Sequence, residues 1–341
     1  MTQGRGKVRL QDVARLAGVS TSAVSRCFTP GASVSDQTRS LVLKAARELG
    51  YQPAFSGKGQ VKPCARIVAI VSPGFFNPWY AELVDQLSKA LNQIGLQTLL
   101  IQAEGLDEVA LSADHPLLQL MDCPLDGILV LNDRLSGSTL DVFRRMNWPV
   151  ILVAGVDASE RFSAVGVDNE EGGRLAARSL VKAGCKRIAY IAGSEKASSQ
   201  VERERGFRQA LAELGVELFS RAAGHGTESG TRHATRVLFA RETRPDGLMV
   251  ACDWMAMQAM DTLRSELRVR IPQDVSIIGF DNVVPAGWPS YGLTTIGVNV
   301  EQWVREAVDL LTHQIRANDT PIREVRLPVK LIARASLRQL S

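Results

Sequence analysis

Apolar residues recur at helical spacing near the start of the chain. The side chains that would share one face of a first helix, over residues 10–17, are Leu10, Val13, Ala14 and Ala17. Gly18 then provides a tight turn, and Ser20 is a favourable N-cap for a second helix that runs to about Phe28. Two short helices joined by such a short turn are typical of a helix-turn-helix.

A third helix is predicted over residues 36–49, with Ser35 as its N-cap. Its apolar face is formed by Leu41, Val42, Ala45, Ala46 and Leu49. Gly50 ends this helix, as glycine often does. The three helices together predict a small all-α domain.

The pattern changes after residue 65, where short β-branched runs alternate with helical segments. One series of runs lies at 66–71, 98–102, 127–131 and 150–154, and a second at 164–168, 187–193, 247–251 and 275–281. Alternating strands and helices predict parallel sheets with helices on both faces, and two series predict two lobes. The fold class is therefore α/β, preceded by the all-α domain.

Ligands of such folds bind at the carboxyl ends of the strands, where this chain carries polar and aromatic residues. These residues lie at 72–80, 168–169, 193–203, 252–253 and 280–282. Aromatic rings and hydrogen-bonding side chains together suit a sugar-like ligand. Each acid there could equally cap a helix or form a salt bridge, and Trp79 and Tyr80 could equally belong to the core.

Charge is distributed unevenly. Residues 1–66 carry eleven lysine and arginine residues against three acidic ones, a net +8, whereas the whole chain carries +4. The remaining residues therefore carry −4, so the basic N-terminal domain is predicted to bind a polyanion. Its second helix exposes Thr21, Ser22, Ser25 and Arg26. Short polar groups beside one arginine suit a helix in the major groove, although an ordinary solvated face remains the alternative.

Other classes find little support in the sequence. No apolar run approaches the roughly 18 residues that span a bilayer, and the N-terminus has no signal-peptide pattern, so we expect a cytoplasmic protein without a membrane partner. The five cysteines are scattered singly. Nucleotide-binding glycine motifs and metal-binding histidine spacings are missing, so we expect neither an enzyme nor a cofactor or metal.

The segment from Val8 to Pro53 resembles, without gaps, the DNA-binding headpiece of the LacI/GalR repressor family. It carries the motifs DVARLAGVS, VSR, VSDQTR and ELGYQP. The resemblance implies that Thr21, Ser22 and Arg26 read bases. It places Arg9, Ser20, Ser25, Ser35 and Thr38 at phosphate-facing positions, and Val13, Ala14, Val24 and Leu41 in the headpiece core.

The segment after the headpiece departs from the family pattern. Family members usually continue with a hinge helix whose leucine enters the minor groove, but this chain reads AFSGKGQVKP over 54–63. Each of its two glycines costs about 1 kcal/mol of helix propensity. We therefore predict an atypical linker over 54–65, with a weak or absent hinge helix.

The rest of the chain resembles the ligand domain of the same family, which is similar to periplasmic sugar-binding proteins of type I. Matching segments include FFNPWYAEL, VGVDNEEGG, ERERGF and IPQDVSIIGFDN. The resemblance implies an effector cleft lined by Asn77, Trp79, Tyr80, Asp168, Arg203 and Asp281. Cys252 and Gly226 depart from the family, which usually has an asparagine and an aromatic residue there, and this indicates an unusual ligand.

The predicted domains are a headpiece over 1–53, the linker over 54–65 and a ligand domain over 66–341. Within the ligand domain, the crossing pattern of the family implies one lobe over 66–160 and 291–324, and another over 161–290 and 325–341. The predicted function is a homodimeric repressor that binds operator DNA under the control of a sugar or sugar-acid effector. A free solute-binding protein is the alternative.

Overall fold

The computed structural model describes most of the chain. The described residues are 10–28, 34–49, 66–103, 118, 123, 125–132, 136–145, 148–155, 162–240, 242–316 and 321–339. The chain divides into two compact units, residues 1–65 and 66–341. Arg9 and the linker over 54–65 lie outside the described residues, so the predictions made for them stay predictions.

The first unit contains the three predicted helices, α1 (Leu10–Ala17), α2 (Thr21–Cys27) and α3 (Asp36–Leu49). Ser20 caps α2, because its hydroxyl accepts a hydrogen bond from the backbone N–H of Ala23 at 3.2 Å. The buried core of this unit is formed by Val13, Ala14, Val24, Cys27, Val42, Ala45 and Ala46. The helices close around one small apolar core.

Leu41 does not belong to that core, and its predicted core position is wrong. Its side chain is 47% exposed, whereas Val42 is fully buried. The inward positions of α3 are 42, 45 and 46, which follow the helical period, and Leu41 falls at the edge of that stripe. One apolar residue beside the stripe does not shift the face that the helix buries.

The second unit contains two six-stranded sheets. The first sheet has the order β11-β5-β4-β3-β1-β2, and all of its strand pairs are parallel. Its strands are β1 (Arg66–Ser72), β2 (Leu96–Gln102), β3 (Gly127–Val130), β4 (Val150–Leu152), β5 (Ser163–Val167) and β11 (Glu324–Leu327). We call this sheet, with its helices, the first lobe.

The second sheet has the order β12-β10-β9-β8-β6-β7 and is parallel except for the β10–β12 pair. Its strands are β6 (Ile188–Ala192), β7 (Ser220–Ala223), β8 (Gly247–Val250), β9 (Ser276–Asp281), β10 (Thr294–Val298) and β12 (Val329–Ile332). We call this sheet, with its helices, the second lobe.

Helices cover both faces of the sheets. The central strands are therefore buried along their whole length. The helices given with full bounds in the described part of this unit are α4 (Pro78–Gln93), α5 (Gly137–Arg145), α6 (Asn169–Lys182), α7 (Ser198–Glu213), α8 (Glu228–Phe239), α9 (Asp253–Ser265) and α10 (Val300–Arg316), and a 3₁₀ turn spans Val284–Gly287. α4 packs beside α10, α6 beside α7, and α8 beside α9. None of the helices within the described ranges is long and apolar enough to cross a membrane.

The lobe boundaries differ from those predicted. β5 and β11 pair with each other in the first sheet, and β10 lies in the second sheet. The chain therefore crosses between lobes after β5, after β10 and between β11 and β12, not at residues 161, 291 and 325. A strand buried on both faces reads as apolar in either sheet, so its sequence does not indicate which sheet it joins.

Candidate functional site

The first candidate surface is the exposed face of α2. Thr21, Ser22, Ser25 and Arg26 are all exposed, as predicted from their spacing. The guanidinium of Arg26 lies along the helix, with its Nε donating to the carbonyl of Ser22 at 3.4 Å. The hydroxyls of Ser20 and Ser22 are 2.9 Å apart at the start of the helix. Donors gathered at a helix N-terminus are suited to phosphate oxygens.

A second group of hydroxyls lies at the start of α3. The hydroxyl of Ser35 lies 2.8 Å from that of Thr38 and accepts the backbone N–H of Thr38 at 3.3 Å. Arg39 donates to the carbonyl of Cys27 at 3.1 Å and so ties α3 to the end of α2. The unit thus presents two helix N-termini on a fixed scaffold, and this geometry is suited to a DNA backbone.

The second candidate site is built around Arg203 of α7, which is buried with only 6% of its surface exposed. Its Nε donates to Asn169 Oδ1 and one Nη donates to the carbonyl of Ala251, both at 2.8 Å. The other Nη lies 3.5 Å from a carboxylate oxygen of Asp281. The guanidinium carbon stacks 3.6 Å above the ring of Phe280. Contacts from the start of α6, the end of β8 and the end of β9 therefore fix the guanidinium in one orientation.

Close packing of α6 against α7 sets this position. Gly173 on α6 faces the backbone of Arg203 and Phe207, and Gly206 on α7 faces the backbone of Glu170, with no room for a Cβ at either glycine. The two helices therefore approach backbone to backbone. This approach brings Asn169, at the start of α6, within hydrogen-bond distance of Arg203.

The turn that carries Asp281 is held by a buried carboxylate. Asp281 and Asn282 have φ values of 113° and 60°, a conformation that side-chain-bearing residues rarely adopt. Asp253 accepts the backbone N–H of Val283 at 3.0 Å and the hydroxyl of Thr295 at 2.6 Å. Burial, and then the charge of Asp281, raise the pKa of Asp253 well above its ordinary value. Asp253 therefore holds the turn that positions Asp281.

The first lobe contributes the opposite wall. Asn77 caps α4, since its side-chain oxygen accepts the backbone N–H of Trp79 at 3.1 Å. The ring of Trp79 packs 4.9 Å from Tyr80 and 5.3 Å from Trp303, centroid to centroid. Trp79 is 9% exposed and belongs to the core cluster, yet it also borders the site. The core and ligand roles left open for Trp79 are therefore compatible.

These side chains border a cleft between the two sheets, in which two adjoining chambers share Asn77, Tyr80, Gln200 and Cys252. An inner chamber of about 50 Å³ is bordered by residues from both lobes, among them Asn77, Trp79, Tyr80, Asn169, Arg203, Asp281 and Trp303. An outer chamber of about 280 Å³ is bordered by Phe76, Asn77, Tyr80, Gln200, His225, Gly226, Cys252 and Trp254, among others. The structure thus brings five of the six predicted cleft residues together.

Asp168 is the sixth, and its side chain is used differently. Its carboxylate accepts the backbone N–H of Glu171 at 2.9 Å and caps α6. The next residue, Asn169, faces the inner chamber instead. The geometry favours the helix-cap interpretation that the sequence left open for the acids.

Cys252 borders both chambers, beside Asp253. Burial, followed by the charge of Asp281, raises the pKa of its thiol to about 12. A thiol at this position is a weak hydrogen-bond donor where the family resemblance leads one to expect an amide. The cleft wall is accordingly less polar at this point.

Asn169, Gln200 and Trp303 were not predicted as cleft residues. Trp303 lies on α10, directly after β10, a strand that was predicted for the first lobe but lies in the second. Its indole N–H donates to the carbonyl of Val165 at 3.0 Å. Asn169 and Gln200 fall within the segments after strands β5 and β6, where polar residues indicate a ligand site. The sequence alone does not show which of the neighbouring polar residues in such a segment faces the ligand.

Two family models match this chain. Residues 9–54 match the model for bacterial regulatory proteins of the lacI family, and residues 177–337 match a periplasmic binding protein-like domain. The helix-turn-helix and the two-lobed cleft thus correspond to two known modules in the expected order.

Full-length relatives share both modules. The HTH-type transcriptional regulator CelR of Thermobifida fusca is 32% identical, with 97% of this chain and 99% of that protein covered. The HTH-type transcriptional repressor PurR of Photobacterium profundum is 26% identical, with the same shares covered. A solved structure of a transcriptional regulator CelR–cellobiose complex has a TM-score of 0.69 and 29% identity, with 96% of this chain and 99% of that chain covered.

The protein combines a DNA-binding headpiece with a periplasmic-binding-protein-like body, which defines a ligand-responsive transcription regulator. The chain belongs to the LacI family. It is therefore a DNA-binding regulator of transcription rather than an enzyme, and the alternative of a free solute-binding protein is set aside.

Proposed function

We propose that this regulator represses transcription from an operator and that a carbohydrate effector in the interlobe cleft controls its grip on DNA. The observation that carries the effector is the buried Arg203–Asp281 pair at the floor of the cleft. A fixed guanidinium beside a carboxylate offers paired donors and acceptors that match neighbouring hydroxyl groups of a sugar.

The walls of the cleft support the same ligand class. Trp79 and Tyr80 provide aromatic surface on the first lobe, and Asn77 adds an amide beside them. We assign effector contacts to Asn77, Trp79, Tyr80, Arg203 and Asp281, and a helix-capping role to Asp168. The similar solved structure is a CelR–cellobiose complex, which supports a sugar ligand.

For the headpiece, we propose that α2 enters the major groove, where Thr21, Ser22 and Arg26 contact base edges. Ser20, Ser25, Ser35 and Thr38 are assigned to phosphates, together with Arg9 outside the described residues. Two headpieces are needed to read two half-sites, so the functional form is a homodimer. It acts in the cytoplasm, where the operator DNA is found.

The coupling between ligand and DNA is proposed to be a population shift. The cleft has one wall in each lobe, and three chain crossings connect the lobes. A ligand that contacts both walls favours one relative setting of the lobes and therefore biases the spacing of the two headpieces. The relative PurR is a transcriptional repressor, which supports repression as the outcome of DNA binding.

A screen of the full-length chain tests this proposal. Thermal unfolding is measured with monosaccharides, disaccharides and sugar acids, and each stabilising compound is then added to protein bound to genomic promoter fragments. We expect at least one compound to raise the melting temperature and change DNA affinity. If no carbohydrate in the panel stabilises the protein, the effector class is wrong, and if no promoter fragment binds, the operator role is wrong.

A further inference from the structure

A second cavity adjoins the effector cleft on the second lobe. It measures about 410 Å³ and follows α7 from the end of β6 to Arg221 on β7. We call it the α7 groove. The groove and the outer chamber of the cleft share Gly193, Ser194 and Gln200 as bordering residues. The two spaces therefore meet at these three residues.

Gln200 marks the junction, because it borders the groove and both chambers of the cleft. Its side-chain oxygen is buried and has no hydrogen-bond partner among the residues that the structure describes. Buried acceptors are nearly always paired in folded proteins, so this oxygen is suited to a hydroxyl donor from a ligand.

Gly193 allows Gln200 to occupy this position. A Cβ on Gly193 would collide with the amide oxygen of Gln200. Glycine leaves room for the side chain to lie against the end of β6 in this conformation. The unpaired oxygen therefore packs against Gly193, a residue that borders both the groove and the outer chamber.

The charges of the groove compensate each other. Arg208 contacts Glu204 at 2.7 Å, Arg221 contacts Glu204 at 2.8 Å and Glu195 at 3.0 Å, and Arg205 is paired with Glu170. Burial opposes the charge of Glu204, but hydrogen bonds from Arg221 and Arg208 lower the pKa of its carboxyl, which keeps it ionised. Paired guanidinium and carboxylate groups suit neutral hydroxyls better than an added phosphate or carboxylate.

We propose that the effector is a neutral oligosaccharide, with one sugar unit in the cleft, a glycosidic link beside Gln200 and the next unit in the α7 groove. This inference rests on the carbohydrate effector proposed above. The cleft chambers alone lie near the lower end of the roughly 300–1,000 Å³ typical of ligand sites, and the groove more than doubles the space.

Calorimetric titration of the full-length chain tests the proposal. The probes are glucose, galactose, mannose and xylose, each with its 1,4-linked disaccharide and trisaccharide. In the series that binds, we expect the disaccharide or trisaccharide to bind at least ten-fold more tightly than the monosaccharide. Arg221→Ala is expected to remove most of that gain.

Two further variants keep the test sharp. Arg208→Ala removes a second groove arginine and replaces the first variant if that one does not fold. Arg236→Ala is the matched control, because Arg236 forms a comparable exposed ion pair with Glu266 on the same lobe, away from the groove.

The failures are distinguishable. If chain length brings no gain, or if neither groove variant reduces it, the subsite is wrong while the carbohydrate effector stands. If no sugar of any length binds, both proposals are wrong.

Discussion

At the scale of single residues, Arg203 connects three separate segments of the second lobe. It joins α6 through Asn169, β8 through the carbonyl of Ala251 and the strained turn through Asp281. Its contacts come from segments far apart in sequence. The sequence predicted Arg203 and Asp281 through the family resemblance, but it did not predict Asn169, whose role arises only when two helices cross.

Replacing Arg203 with lysine keeps the charge and removes the planar fork. Because hydrogen bonds to a charged group contribute about 1.5–3 kcal/mol, we expect effector affinity to fall at least ten-fold. Operator affinity in the absence of effector should remain within two-fold. Calorimetry and DNA-binding titrations measure the two quantities, and Arg236→Lys serves as the control. Unchanged effector affinity would mean that the cleft ligand does not contact Arg203.

Replacing Arg26 with alanine should relax the sequence preference of the headpiece. A base-contacting arginine contributes about 1–3 kcal/mol of discrimination, so the ratio of specific to non-specific affinity should fall about five-fold or more. Lys44→Ala, on the exposed surface of α3, is the comparison variant. Competition titrations with unrelated DNA give the ratio. An equal loss of affinity for all DNA sequences would show that Arg26 contacts the DNA backbone and not the base edges.

The buried carboxyl of Asp253 predicts a pH effect on stability. An acid whose pKa is higher in the folded chain than its ordinary 3.8 holds its proton more tightly when folded, so its contribution to stability declines as pH rises from about 3.8 through the raised pKa. Asp274 predicts the opposite sign, because hydrogen bonds from Arg270 lower its pKa to about 2, and its contribution is lost as pH falls below 3.8.

The two effects are separated by measuring the urea midpoints of wild type, Asp253→Asn and Asp274→Asn at pH values below and above 3.8. The wild-type advantage over Asp253→Asn should shrink as pH rises. The advantage over Asp274→Asn should shrink as pH falls. A constant difference between wild type and Asp253→Asn would show that Asp253 does not titrate differently in the folded chain.

At the scale of elements, helical periodicity and caps predicted the headpiece closely. All three helices lie where the apolar spacing placed them, and only Leu41 departs from its expected burial. The body was predicted less completely. Its alternating strands and helices were recognisable, but the sheet that β5 and β10 join depends on where the chain crosses between lobes, and local patterns do not encode this.

The crossing of α6 and α7 is the element that sets the cleft, and it can be tested directly. Gly206→Ala places a methyl group against the backbone of Glu170, so the helices must separate. We expect a loss of about 1–3 kcal/mol in the free energy of unfolding, together with weaker effector binding. Gly137→Ala has open space around it and should leave both unchanged. Equal effects of the two variants would contradict the role given to the crossing.

At the scale of the whole molecule, the family assignment joins a DNA-binding headpiece to a ligand-binding body in one chain. The sequence predicted this organisation because both modules carry long, recognisable motifs. The connection between them is the segment over 54–65, for which the predicted loss of a regular hinge helix remains a prediction. The function depends on whether occupancy of the cleft changes the affinity of the headpiece for DNA.

The most direct measurement is the operator affinity of the full-length protein with and without a saturating effector, by fluorescence anisotropy on labelled promoter DNA. In wild type we expect at least a ten-fold change in the dissociation constant, within the usual range of allosteric coupling. In Arg203→Lys, at least ten-fold more effector should be needed to produce the same change. An effector that calorimetry shows to be bound, but that leaves the operator affinity of wild type unchanged, would contradict the account.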